Sequence, residues 1–280
     1  MDLIQSVLMG IIQGLSEFLP ISSSAHLVFT SNFYKVFKDI PVSEPSTEEV
    51  FLDIMLHLGT LAAVLIFFRK DILEICRALF KGVKTGNFYD KQAKLGLYII
   101  AGTVITTAVA VPLNTAANHL VFHPALAGGL LIVTGAVLFL SEYLSNKTNT
   151  CSEISLKQAL LTGLAQGFAI LPGLSRSGLT IAAGLFTGLD RQTSARFSFL
   201  LCIPIILGAS TVYPLIKTEI NEAANYNWAA IILGTIVSGI TGYLCIKYFM
   251  KFISKFSLNI FGYYCVIMGF LTLIFFSIFK

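Results

Sequence analysis

The chain has 280 residues, of which 55% are hydrophobic and only 12% charged, against about 25% charged in an ordinary soluble domain. With a mean hydropathy of +0.80, this composition excludes a soluble globular protein and indicates an all-α polytopic membrane protein. The formal charge of +4, from 19 Lys and Arg against 15 Asp and Glu, is spread over loops rather than gathered into a patch. It therefore reports topology, not nucleic-acid binding.

The first apolar run, 3–32, follows Asp2 and has no basic leader or small-residue cleavage site, so it is expected to be mature structure rather than a signal peptide. It is broken in the middle. The phrase Gly10-Ile-Ile-Gln13-Gly14-Leu-Ser-Glu17-Phe-Leu-Pro20-Ile-Ser22-Ser23 puts Pro and then hydroxyls into a helix-length stretch, which lipid-facing backbone does not tolerate. An acid-rich loop, with Asp39, Glu44, Glu48 and Glu49, leads to spans expected at about 50–68, 95–113 and 122–141. Between the first two, residues 69–94 carry Arg69, Lys70, Arg77, Lys81, Lys84, Lys91 and Lys94, which marks that loop as cytoplasmic. The loop 114–121 has no Lys or Arg and is assigned to the outside, with His119 and His123 near solvent. The most polar stretch, 142–155, divides the chain into halves 1–148 and 155–280 of one transmembrane domain.

The second half opens with the same phrase, Gly163-Leu-Ala-Gln166-Gly167-Phe-Ala-Ile-Leu-Pro172-Gly-Leu-Ser175, one residue shorter before the proline. Lys157 precedes the broken segment 156–190 and Arg191 and Arg196 follow it, so it must enter the membrane and return. Spans at about 197–216, 228–246 and 258–279 complete the chain. The expected architecture is six transmembrane helices plus two re-entrant helical hairpins in an inverted-topology repeat, with both termini external; paired breaks in two such halves point to the binding site. The five cysteines have no metal-ligand or redox spacing, and Lys84-Thr85 lacks the glycines of a phosphate loop.

The chemistry sits at the breaks. Gln13 and Glu17 are four apart and share a helix face, followed by Ser22-Ser23-Ser24-Ala25-His26; the second break supplies Ser175-Arg176-Ser177-Gly178-Leu179-Thr180. An isolated Glu or Arg in mid-membrane costs about 2.5–3.5 kcal/mol, so Glu17 and Arg176 need partners or a ligand. A Ser/Gly-rich turn opening a helix favours an anion, and a guanidinium fork matches phosphate oxygens. Phosphoryl chemistry then requires a nucleophile and a proton carrier. Ser23 or Ser22 attacking with His26 as acid/base, His26 attacking directly, and Glu17 activating water all remain open. Glu17, with Gln13 as neighbour, could also hold a divalent cation against phosphate. Asp53 and His57, i and i+4 at one end of a span, either pair structurally or serve the site in a secondary role.

At these residues the chain resembles the undecaprenyl-diphosphate phosphatase family, often called bacitracin-resistance proteins, over essentially its whole length. The family's (E/Q)xxxE pattern matches Gln13–Glu17, and its PGxSRSxxT pattern matches Pro172–Thr180. Phe51–Gly59, ending in Phe67-Phe68-Arg69-Lys70, looks like the family's first full span. The resemblance implies hydrolysis of undecaprenyl diphosphate to the monophosphate and phosphate in the bacterial cell membrane, recycling the lipid carrier for cell-wall polymers and conferring bacitracin resistance. It implies Mg²⁺ or Ca²⁺ as cofactor and a site open to the external face. It also implies essential roles for Glu17, Ser23, His26, Ser175, Arg176 and Thr180, with diphosphate held by Ser22, Ser175, Arg176, Ser177 and Thr180. The expected partners are the bilayer and this lipid, with a homodimer as a further option and no nucleic acid. The rival from another class is a secondary transporter or flippase for a phosphorylated polyprenyl lipid, since such proteins also use broken helices at the midplane. The acid-phosphatase type of lipid phosphatase is set aside because none of the five arginines precedes a proline.

Overall fold

The computed structural model describes residues 2–39, 45–121, 124–145, 153–217 and 226–278. Among these the chain forms eleven helices and no strands: α1 Leu3–Ser16, α2 Ser23–Phe37, α3 Thr47–Phe67, α4 Arg69–Thr85, α5 Lys91–Val121, α6 Pro124–Leu144, α7 Leu156–Phe168, α8 Arg176–Phe186, α9 Arg191–Lys217, α10 Trp228–Ile253 and α11 Asn259–Ile278. Five of them, α3, α5, α6, α9 and α10, are long and apolar enough to cross a membrane. The sixth expected span is α11, which is also apolar. His123, Glu44, linker residues 146–152 and most of the loop before Trp228 fall outside the described residues, as does the side chain of His119.

Each break is flanked by short helices whose starts are chemically marked. Asp2 accepts from the Gln5 amide and caps α1 at 2.8 Å. Ser155 and Gln158 form a reciprocal capping box on α7, as Ser46 and Glu49 do on α3. At 14 and 13 residues, α1 and α7 reach about 20 Å, well short of the ~30 Å hydrocarbon core. Both chains turn back through one left-handed residue, Ser22 at φ 69° and Gly173 at φ 97°. The feet of each hairpin then meet. Gln158 Nε2 donates to Thr187 O at 2.9 Å, and Tyr34 donates to the Asp2 carboxylate. These contacts bring the two ends of each hairpin together.

Glycines set how the hairpins dock. A Cβ on Gly10 would stand 2.5 Å from Gly234 O of α10, and one on Gly163 would stand 2.4 Å from Gly102 O of α5. Backbones that close pack by direct van der Waals contact, the arrangement small-xxx-small patterns permit in lipid. A threonine finishes each seam: Thr241 donates to Gly10 O at 3.3 Å and Thr106 to Gly163 O at 2.9 Å. Thus α1 leans on α10 and α7 on α5, each hairpin braced by a helix from the other stretch of chain. Helices α3 and α9 pack together between the tips, around Phe18, Phe68 and Phe199.

Two expectations need correction. Residues 69–94 are not simply a basic loop: Arg69–Thr85 is a 17-residue helix, stopped by Gly86 in the left-handed conformation at φ 68°. Its charges recur with helical period, which a search for uncharged spans overlooks. Nor does the helix of the second span, expected over about 95–113, give way to a loop at 114–121. Helix α5 runs through Pro112 to Val121, because neighbouring helices compensate a lost backbone donor in membrane helices.

Candidate active site

The break residues of the first hairpin and the start of α8 come together around one carboxylate. Glu17, at the C-cap of α1, is buried, with 6% of its surface exposed. Arg176 Nη2 donates to its Oε1 at 2.5 Å. Ser23 Oγ donates to its Oε2 at 2.7 Å, and Gln13 Nε2 to the same oxygen at 3.1 Å. His57 Nε2, from α3, lies 3.8 Å from Oε2. Glu17 and Arg176, 159 residues apart in sequence, therefore neutralise one another where neither would be tolerated alone. The second Arg176 nitrogen, Nη1, is buried and has no hydrogen-bond partner among the described residues.

Beside this pair lies a cavity of about 390 Å³. Its polar wall is Glu17, Ser23, Ser24, Asp53, His57 and Arg176; Ile54, Ile170 and Ile205 contribute to an apolar wall from α3, the second break and α9. Asp53 and His57, ambiguous in sequence, both line it. His57 Nδ1 lies 2.8 Å from the Asp53 carbonyl; a carbonyl only accepts, so Nδ1 carries the proton and Nε2 is the atom turned to Glu17.

Other expected site residues are placed differently. His26 is not on the cavity wall. Its Nδ1 is bonded to Ser22 O at 2.8 Å, its Nε2 to Tyr264 Oη at 2.7 Å, and its ring stacks on Tyr264 with centroids 5.6 Å apart. With the Nδ1 proton given to a carbonyl, Nε2 accepts from the tyrosine, which leaves no ring nitrogen for a substrate. Ser22 is also buried, held in a left-handed conformation that costs a non-glycine residue on the order of 1–3 kcal/mol.

The second-hairpin hydroxyls are buried scaffolding around Arg176. Ser175 caps α8 by accepting from Gly178 N at 3.1 Å, while its own amide donates to Thr134 at 3.1 Å. Ser177 donates to Leu19 O at 2.9 Å, tying one tip to the other. Thr180 donates to Arg176 O at 2.7 Å and lies 2.6 Å from Ser198 Oγ. Of the residues expected to hold diphosphate, Arg176 alone reaches the cavity, because the others spend their polar atoms on the fold. Sequence reasoning missed Tyr264, Thr134 and Ser198; the only signal was a hydroxyl inside an apolar run.

The fit of a divalent cation depends on oxygen donors. Among the described residues no cluster of three or more His, Cys, Asp or Glu has metal-binding geometry. Two oxygens near Glu17, Gln13 Oε1 and Asp53 Oδ1, are nevertheless buried without hydrogen-bond partners. Hard donors of this kind, completed by phosphate oxygens, suit the way Mg²⁺ binds with its substrate.

Comparison with known proteins agrees with the motifs. The profile of the family described as Bacitracin resistance protein BacA matches residues 6–271. The chain belongs to that family. It is 41% identical to a protein named undecaprenyl-diphosphatase from Methanobrevibacter smithii, covering 96% of both chains. It is 38% identical to one of the same name from Halothermothrix orenii over all of both chains, and 41% identical to one from Desulfosudis oleivorans over 98% of both. BacA relatives of this similarity match along the full fold, both hairpins included.

Proposed function

We infer that this membrane protein is a phosphatase that hydrolyses undecaprenyl diphosphate to undecaprenyl phosphate and inorganic phosphate, returning the lipid carrier to cell-wall synthesis and conferring resistance to bacitracin. The observation that carries the reading is the bond from Ser23 to Glu17, with Arg176 on the carboxylate's other oxygen. A nucleophile, its base and an oxyanion-binding group line one cavity, which transport alone does not require.

In this reading Arg176 binds the terminal phosphate through Nη1, while Nη2 holds Glu17 through Oε1. Ser23 Oγ attacks the terminal phosphorus and passes its proton to Glu17 Oε2, already 2.7 Å away. The bridging P–O bond breaks, undecaprenyl phosphate leaves with the electron pair, and the proton held by Glu17 passes to the departing phosphate oxygen, which returns Glu17 to its carboxylate form. Water, deprotonated by Glu17, then releases phosphate from Ser23. A divalent cation would be held by Asp53, Glu17 and Gln13 Oε1, and would supply positive charge to the phosphate oxygens. His57, bonded to Asp53, steadies this wall and faces Glu17. His26 acts at a distance, fixing the start of α2 through Ser22 and Tyr264. Ile54, Ile170 and Ile205 receive the first prenyl units, and the rest of the chain lies in the bilayer. All residues used come from one copy of the chain.

The mouth is on the external face. The cavity is lined by early α3 and late α9, Val50 and Ser210 among them, at the end poor in Lys and Arg. The opposite end carries α4, Lys157 and Arg191, as cytoplasmic surfaces do. The test is phosphate release from undecaprenyl diphosphate by the detergent-purified protein, with and without EDTA. Wild type is expected to release phosphate and EDTA to stop it, while Glu17→Ala, Ser23→Ala and Arg176→Ala are inactive. A folded wild type that binds the lipid and releases nothing would establish the transporter reading instead.

A further inference from the structure

Helix α4 has a face that hydrolysis does not use. Its inner side, Ile72, Ile75 and Leu79, packs toward α5, where Gly96 makes room: a Cβ there would stand 2.6 Å from Leu79 Cδ1. Its outer side carries two parallel rows. Leu73, Cys76, Phe80 and Val83 form an apolar row at helical spacing, with Leu73, Phe80 and Val83 at 52%, 64% and 73% exposure. Lys70, Arg77, Lys81 and Lys84 form a basic row beside it.

The charge is one-sided. The two acids of the helix have partners on other helices: Asp71 pairs with Arg196 of α9, and Glu74 accepts from Gln92 of α5 at 3.2 Å. Lys70, Arg77 and Lys81 have no ion-pair partner among the described residues, and Lys84 lies 4.7 Å over the Phe80 ring. An apolar stripe flanked by basic residues, placed where a span ends, matches a helix lying in the headgroup boundary.

A second observation adjoins it. A groove of about 270 Å³ opens between α4, α5 and α9, walled by Ile72, Cys76, Ile99, Val104, Ile203 and Pro204. Its one hydroxyl, Thr103, is turned to the Ile99 carbonyl at 2.7 Å. The groove borders one stretch of α5, Ile99 to Val104, and one turn of α9, Leu200 to Pro204, and α4 itself supplies its third wall through Ile72, Ile75 and Cys76.

We propose that α4 and this groove form a binding site for an anionic phospholipid of the cytoplasmic leaflet, its acyl chain between α4, α5 and α9 and its phosphate on the basic row. The site lies at the opposite end of α3 from the hydrolytic cavity and is independent of the hydrolytic reading. Zwitterionic lipid would fill the groove but gain nothing from the basic row, since each Lys or Arg near a surface adds attraction only for anionic headgroups.

The test is native mass spectrometry of the intact protein from micelles doped with equal amounts of phosphatidylglycerol and phosphatidylcholine. Wild type is expected to retain phosphatidylglycerol in excess by about tenfold or more, the excess falling as salt is raised. In Lys70→Gln/Arg77→Gln/Lys81→Gln the excess should vanish, while Val104→Trp, which covers the groove, should lower retention of both lipids. Thermal unfolding shows whether each variant is folded, and Arg77→Gln alone serves if the triple variant is not. Equal retention of the two lipids by wild type overturns the proposal, as does an excess that survives neutralisation of the row or high salt. Unchanged retention in Val104→Trp overturns the acyl groove.

Discussion

The two hairpins share a scaffold and differ in chemistry. Each begins with a Gly-x-x-x-Gly helix docked on a span from the other stretch of chain, each seam is closed by a threonine, and each turns through one left-handed residue. At the first tip stand Glu17 and Ser23; at the second stand Arg176 and a set of buried hydroxyls. Gln13 bonds the Glu17 carboxylate, whereas its counterpart Gln166 bonds Thr106 of the scaffold. The two hairpins are thus matching supports with the charges divided between them, Glu17 at one tip and Arg176 at the other.

That division can be broken most severely at the pair itself. Arg176→Lys keeps the charge but loses the fork, and is expected to lower kcat/KM about a hundredfold or more, measured as phosphate release. Exchanging the pair, as Glu17→Arg/Arg176→Glu, should restore much of the stability that Arg176→Glu alone loses, yet leave turnover absent because Ser23 no longer has its base. Unfolding midpoints beside rates would show it.

Equivalent positions give a sharper contrast. Ser23→Ala is expected to abolish turnover with little change in stability. Ser175→Ala, at the other tip, should cost about 1 kcal/mol as a lost helix cap while retaining activity within a few-fold; comparable rate losses would refute the assignment of chemistry to one tip and scaffolding to the other. Gly10→Ala and Gly163→Ala should resemble each other, each destabilising by about 1–3 kcal/mol through overpacking, read as matching drops in melting temperature. The smallest effect is expected at the first turn. Ser22→Gly relieves a left-handed strain and should stabilise by about 1 kcal/mol, whereas Gly173→Ala destabilises, since its Cβ would sit 2.2 Å from Ala127 O.

Much of this was legible in the primary structure because local rules govern it. Proline, glycine and hydroxyls inside apolar runs located both tips, and the electrostatic need of Glu17 for a partner pointed to Arg176. What was not legible depends on where side chains turn in three dimensions. His26 lies three residues beyond Ser23 but faces Tyr264, 238 residues away. Asp53 and His57 join the cavity through the packing of α3 beside α1. Ser177 and Thr180 read as ligands in a phosphate-like motif because a hydroxyl carries no sign of whether it faces a cavity or a carbonyl. Helix α4 was hidden by its charges, and the continuation of α5 by Pro112, each a local signal that tertiary context overrode.

The separation of Glu17 from Arg176 also has a consequence for biosynthesis. At about 5–20 residues per second, the ribosome needs roughly 8–30 s to add the 159 residues between them. Throughout that interval the nascent first hairpin carries an acid without its base, and the supporting helix α10 is made later still. The first hairpin, though translated before the second, therefore completes its packing only after the second has been made.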